Sequence, residues 1–206
     1  MLELFVSAFI TLFVVIDPPG CAPIYAGLTS GATHRQATVM ALRACVIATL
    51  ILVVFALFGE GLLGALHIEL DSFRIAGGIM LFLIALDMVF EKRTERREER
   101  AEKVRTAQPH VEDVSVFPMA MPMLAGPGSI ASVMLLTSRA NGTQETAVIL
   151  GALGVVMVLS FIALVAARPL IRALGSQVEA VITRLLGVLL AALAAQFVID
   201  GIQAQF

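Results

Sequence analysis

Charge is what this chain has least of. Only 15% of its residues are Asp, Glu, Lys or Arg, against roughly one quarter in an ordinary soluble domain, so a fold bathed in water is excluded. Histidine occurs three times, as His34, His67 and His110, all in expected connections, and no His-Glu-x-x-His pair exists to hold zinc. There is no Gly-x-Ser-x-Gly nucleophile turn and no phosphate-binding loop for ATP. The two cysteines, Cys21 and Cys45, make no disulfide framework. No Lys or Arg precedes the first apolar run, so a secretory signal would lack its positive start. Gly20-Cys21 superficially resembles a lipoprotein cleavage site, but Pro18 and Pro19 fit that poorly, and residues 1–28 are expected to be retained.

What is present is apolar. Hydrophobic residues make up 59% of the chain and the mean hydropathy is +0.94, the profile of an all-α polytopic membrane protein. About 20 apolar residues at 1.5 Å rise cross a hydrocarbon core of about 30 Å. Six such stretches follow one another: Glu3–Leu28, Ala37–Phe58, Ser72–Phe90, Val114–Thr137, Thr146–Ala167 and Glu179–Gly201. The connections between them are Thr29–Gln36, Gly59–Asp71, Glu91–Asp113, Ser138–Glu145 and Arg168–Val178. Basic residues gather in the first, third and fifth, at Arg35, at Lys92 through Arg105, and at Arg168 and Arg172. The positive-inside rule puts these on the cytoplasmic side and both termini on the other.

The run Glu91–Arg105 is nearly all charged, with Glu99 and Lys103 at helical spacing. It reads as a solvated cytoplasmic linker, since its interleaved Glu residues cancel much of the field that an anionic-lipid or nucleic-acid patch would need. No nucleic-acid partner is expected. The chain forms one transmembrane domain over 1–206, with a first half at 1–90, the linker at 91–113 and a second half at 114–206.

The first span is interrupted by Asp17-Pro18-Pro19-Gly20-Cys21-Ala22-Pro23. Backbone groups freed in hydrocarbon cost several kcal/mol each, so such a break persists only where protein or a water-filled cavity surrounds it. The fourth span carries a counterpart, Ala125-Gly126-Pro127-Gly128-Ser129, with Pro118 and Pro122 before it. Pro19-Gly20-Cys21 aligns with Pro127-Gly128-Ser129, and Arg74…Gly77 in the third span aligns with Arg184…Gly187 in the sixth. The expected architecture is therefore six transmembrane helices in two three-helix halves, inverted because each half has an odd number of spans, with the first and fourth helices broken near the midplane. Interrupted segments at matching places in inverted halves point to a transport site.

These residues resemble the MarC family of six-span inner-membrane proteins, related to the exporters of the LysE superfamily. The carriers are Asp17-Pro18-Pro19-Gly20 with Pro23, Ala125-Gly126-Pro127-Gly128-Ser129, and the Arg74…Gly77-Gly78 and Arg184…Gly187 entrances, and the resemblance covers essentially the whole chain. It implies a proton-coupled transporter of small neutral amino acids such as glycine or alanine, in a bacterial inner membrane.

Broken helices expose new N-termini, whose unpaired N–H groups and positive dipole ends favour an anion such as an amino-acid carboxylate. Candidate binding residues are Asp17, Pro18, Pro19, Gly20, Cys21 and Ala22 in the first break, and Gly126, Pro127, Gly128, Ser129 and Ile130 in the second. Asp17 has no acidic counterpart, because Ala125 aligns with it. It reads either as a ligand for the substrate ammonium or a coupling proton, or as a helix cap. Arg43 reads either as a contact for a carboxylate or as a side chain snorkelling to the headgroups. Ser129 has no His or Lys placed as its base, and no enzyme activity, metal or cofactor is expected. The partners are a small-molecule substrate, a proton and membrane lipid, and both a monomer and a homo-oligomer fit. Two other functions stay open: cation movement with Asp17 as ligand, and a non-transporting membrane factor that binds a partner through the 91–113 loop.

Overall fold

The computed structural model describes residues 1–90 and 113–205, with backbone alone over 168–180. The expected charged run Glu91–Arg105 lies outside the described residues. Every regular element among them is helical: α1 Leu2–Ile16, α2 Pro18–Leu28, α3 His34–Ala65, α4 Leu70–Val89, an irregular coil Ser115–Leu124, α5 Pro127–Thr137, α6 Thr143–Val165 and α7 Ala167–Gln205. Five stretches are long and apolar enough to cross a membrane, the first being α1 with α2 as Leu2–Leu28. The coil and α5, bent by 53°, make a sixth if they count as one span.

Two expected boundaries are corrected. The second span was expected to end at Phe58, but α3 continues through Gly59, Glu60 and Gly61 to Ala65. Gly59 acts there as a contact point, since a Cβ would lie 2.6 Å from Met134 Cε of α5. The fifth connection, expected over Arg168–Val178, is the first part of α7. Pro169 sits where a helix start tolerates proline, because its missing N–H has no acceptor there in any case.

The lipid-facing surface follows from the same shortage of charge. Leu42, Leu50, Phe58, Leu83, Ile162 and Leu185 are all more than half exposed, which in water would be an aggregation face and in a bilayer is the outer wall. The interior divides in two. One core joins Leu12, Ile16 and Cys21 to Ala44, Leu52, Val133, Ile149 and Leu153. The other joins Val14 and Val15 to Leu81, Ala85, Leu135, Leu190 and Phe197.

The most extensive helix contact is the antiparallel seam between α4 and α7. Glycines let the backbones close on each other: a Cβ on Gly78 would meet Ala194 O at 2.9 Å, and one on Gly187 would meet Ala85 O at 3.1 Å. A third contact, at Gly201, would bring a Cβ to 3.0 Å from Asp71 O. Elsewhere α1 packs on α6 while the Ser115–Leu124 coil packs on α3, and α2 packs on α6 and α7 while α5 packs on α3 and α4.

Ion pairs tie the ends together. Arg43 of α3 meets Asp113, ahead of the coil, at 2.7 Å. At the other end Arg139, after α5, meets Asp200 of α7 and lies over the Phe197 ring at 4.8 Å, and Arg74 meets Asp71 at 2.7 Å. The first and third connections thus share one face, and the fourth connection shares the opposite face with the end of α7.

Candidate functional site

At the first break the chain must end one helix and start another with two prolines in the way. A residue before proline is pushed out of the right-handed helical region, and Asp is among the few residues that visit the left-handed one. Asp17 takes it, with φ 57° and ψ 65°. Its N–H donates to Phe13 O at 2.9 Å, closing α1, and its Oδ1 accepts from the Gly20 N–H at 3.1 Å, capping α2. Pro18 and Pro19 fill the first helical positions, where no donor is needed. The Cys21 N–H donates to Asp17 O at 3.1 Å, and its thiol leans on Ile16 O at 3.6 Å.

All of this is sealed. Asp17 is 1% exposed, and Cys21 and Ala22 are fully buried. Gly20 is required by the cap itself: a Cβ there would lie 2.2 Å from Asp17 Oδ2. Tyr25, one turn further on and equally buried, donates its hydroxyl to Ala37 O and ties α2 to α3.

The second break is built differently. The coil has extended residues at Phe117 and Met121, and α5 then starts from Gly126 in an extended conformation, with Pro127 in its first position and no side-chain cap. The Ile130 N–H donates to Gly126 O at 3.0 Å. Gly128 and Ser129 are buried, and their first-turn amides have no acceptor within the helix. Pairing by helix caps puts Gly126, not Ala125, opposite Asp17, and Ser129 opposite Gly20. The sequence alignment is off by one here, because matching Pro-Gly to Pro-Gly overlooks that the first break spends an extra proline inside its helix.

The two breaks adjoin. A Cβ on Gly128 would lie 3.4 Å from Val15 Cγ1, two residues before Asp17, and α1 packs on α5. The structure therefore brings together ten of the eleven residues expected around the breaks as buried or nearly buried groups, with Ile130 partly buried beside them. Pro19 is likewise partly exposed. Arg43 is elsewhere: the carboxylate it meets is Asp113, across a recess of about 420 Å³ lined by Arg35, Gln36, Val39, Met40, Arg43 and Asp113. Hydrogen bonding from Ser115, and after it the Arg43 guanidinium, holds the Asp113 carboxyl below its ordinary range.

Two residues escaped the sequence reading. Asp113 was taken as the end of a linker, although an acid directly before an apolar span opposite a basic residue was a signal available to it. Ser132 is fully buried, and its Oγ has no hydrogen-bond partner. Other buried or half-buried hydroxyls in these helices bond back to a carbonyl of the preceding turn, as Thr11, Thr49 and Ser160 do at 2.7–2.8 Å. Ser132 does not.

A family model described as MarC family integral membrane protein matches residues 2–206. The chain belongs to the MarC family. Among similar proteins are a UPF0056 membrane protein of Methanocaldococcus jannaschii, 32% identical over 98% of this chain and 97% of the relative, and the UPF0056 membrane protein YvbG of Bacillus subtilis, 31% identical over 100% and 97%. UPF0056 membrane protein YhcE of Escherichia coli is 33% identical over 96% and 91%. No solved structure matches the chain. MarC membership and the helix lengths together make this an integral, multi-pass membrane protein.

Proposed function

We propose that this MarC-family protein is a secondary transporter of small neutral amino acids, of the size of glycine or alanine, coupled to protons and binding its substrate between the broken first and fourth spans. The observation that carries the reading is the meeting of two buried helix N-termini, one with a carboxylate built in and one without. That arrangement suits a zwitterion, whose ammonium end faces Asp17 and whose carboxylate faces backbone amides.

The inverted-repeat organisation is supported by the packing. Exchanging α1 with the Ser115–Leu124 coil, α2 with α5, α3 with α6 and α4 with α7 turns each of the main contacts into another that is present. The seam obeys the same exchange: Gly78 lies against Ala194 and Val198, and Gly187 lies against Ala85 and Met88. Such halves are the architecture in which one site is reached from either side in turn. By the positive-inside rule, the face carrying Arg43 and Asp113 is cytoplasmic and the termini lie outside, in a bacterial inner membrane. No catalytic step, cofactor or nucleic-acid partner belongs to this reading; lipid surrounds the protein, and a homo-oligomer is compatible with it.

The test is reconstitution of the purified protein in liposomes with radiolabelled glycine and alanine, with and without a pH gradient. Saturable flux enhanced by the gradient is expected. Absence of saturable flux in either direction would sink the transporter reading and leave a non-transporting role for the 91–113 loop as the surviving alternative.

A further inference from the structure

Asp17 holds one carboxylate oxygen against the N3 amide of α2. The equivalent turn of α5 has Gly126 at its cap, hence no side chain to do the same. Its Gly128 and Ser129 amides face inward from a buried position with no intrahelical acceptor. Left so, they would be among the costliest groups in the molecule, since a buried donor without a partner costs about 1–3 kcal/mol. A second, separate group shares the fault. Ser132 stands one turn along from Ser129 on the same face, and side chains on a helix tilt toward its N-terminus, so its hydroxyl lies back over the Gly128–Ser129 turn. It is fully buried and its Oγ is unpartnered.

We propose that the start of α5 is a carboxylate-binding subsite, formed by the Gly128 and Ser129 amides and the Ser132 hydroxyl, and that the substrate's own carboxylate takes there the place that Asp17 takes against α2. This rests on the transporter reading and adds polarity to it. The carboxylate end enters the second half, and the first half is closed to it by its own acid. A ligand with a carboxylate and no side chain beyond a methyl fits, because Ile84 and Val15 close the space beside Gly128: a Cβ there would be 2.5 Å from Ile84 Cδ1.

Ser132→Ala separates this role from a structural one. Removing a buried hydroxyl that has no partner leaves the fold as stable or more so, while the subsite loses a donor. Thermal unfolding of the detergent-solubilised protein is followed with sodium propionate against sodium chloride at equal ionic strength. Propionate is expected to raise the midpoint of the wild type, and Ser132→Ala to unfold no earlier than wild type while losing most of that rise. In liposomes, the same variant is expected to raise KM for glycine by about tenfold, the loss of roughly one hydrogen bond to a charged group. Inhibition by glycinamide, which lacks the carboxylate, is expected to stay unchanged. No propionate effect on the wild type, or an equal effect on both proteins, overturns the subsite. If the propionate effect is present and depends on Ser132 but no flux is found, the subsite stands and the transport reading fails.

Discussion

The two breaks solve one problem in opposite ways. In the first, Asp17 folds its own carboxylate over the start of α2, and Gly20 has no side chain because that carboxylate already occupies the space. In the second, Gly126 opens α5 with nothing, and the neighbouring Gly128 faces the apolar tip of Ile84. Equivalent backbone turns have thus become one saturated end and one open end. A pair of symmetric halves can share a scaffold and still tell the two ends of a ligand apart, provided that one residue differs.

The sharpest way to break this comparison is to remove that difference. Asp17→Asn keeps a capping oxygen and should leave the protein folded while abolishing flux or uncoupling it from the pH gradient, a loss of at least about tenfold in proteoliposome uptake, as for removal of a charged contact. Unchanged proton-driven uptake would reduce Asp17 to a cap. Next comes the symmetry of the frame. Gly78→Val and Gly187→Val press a branched side chain against the facing backbone at equivalent points of the α4–α7 seam, and each should cost about 1–3 kcal/mol in chemical denaturation. A large effect at one and none at the other would mean that the halves are not equivalent there.

Smaller effects distinguish the glycines of the breaks. Gly20→Ala should displace the Asp17 carboxylate and lower stability by about 1 kcal/mol, the value of an N-cap. Gly128→Ala meets only a side-chain tip that can swing aside, and should be close to neutral in the same thermal assay. Smallest is the Arg43–Asp113 contact. The folded Asp113 carboxyl is held below its ordinary value of 3.8, so its contribution is present above that range and is lost as pH falls through the lowered folded value. Being half exposed, it is worth a few tenths of a kcal/mol. Asp113→Asn should therefore unfold slightly earlier than wild type at pH 7, with the gap closing toward pH 3.

Much of this was legible from residues alone. Proline pairs and a buried acid in an apolar run announce a break through backbone chemistry, and the unequal spread of arginines separates the two faces that the Arg43 and Arg139 ion pairs then tie together. What was not legible depends on neighbours in space. Gly59 and Gly61 look like a helix end, but are helical because Met134 of α5 needs the room at Gly59. The cap register slipped by one because sequence matching weighs Pro-Gly pairs, whereas a cap is defined by which amide lacks an acceptor. Ser132 looked like any small polar residue on an apolar helix until its missing hydrogen bond set it apart.

The α4–α7 seam carries one more implication. Its two ends are interchangeable, so to a first approximation prising the halves apart at one membrane surface or at the other takes equal work. In the transporter reading such a hinge is a symmetric balance with no resting side of its own, and the direction of net movement must come from outside the hinge: from the ion gradient, and from the single acid at residue 17 that reads it.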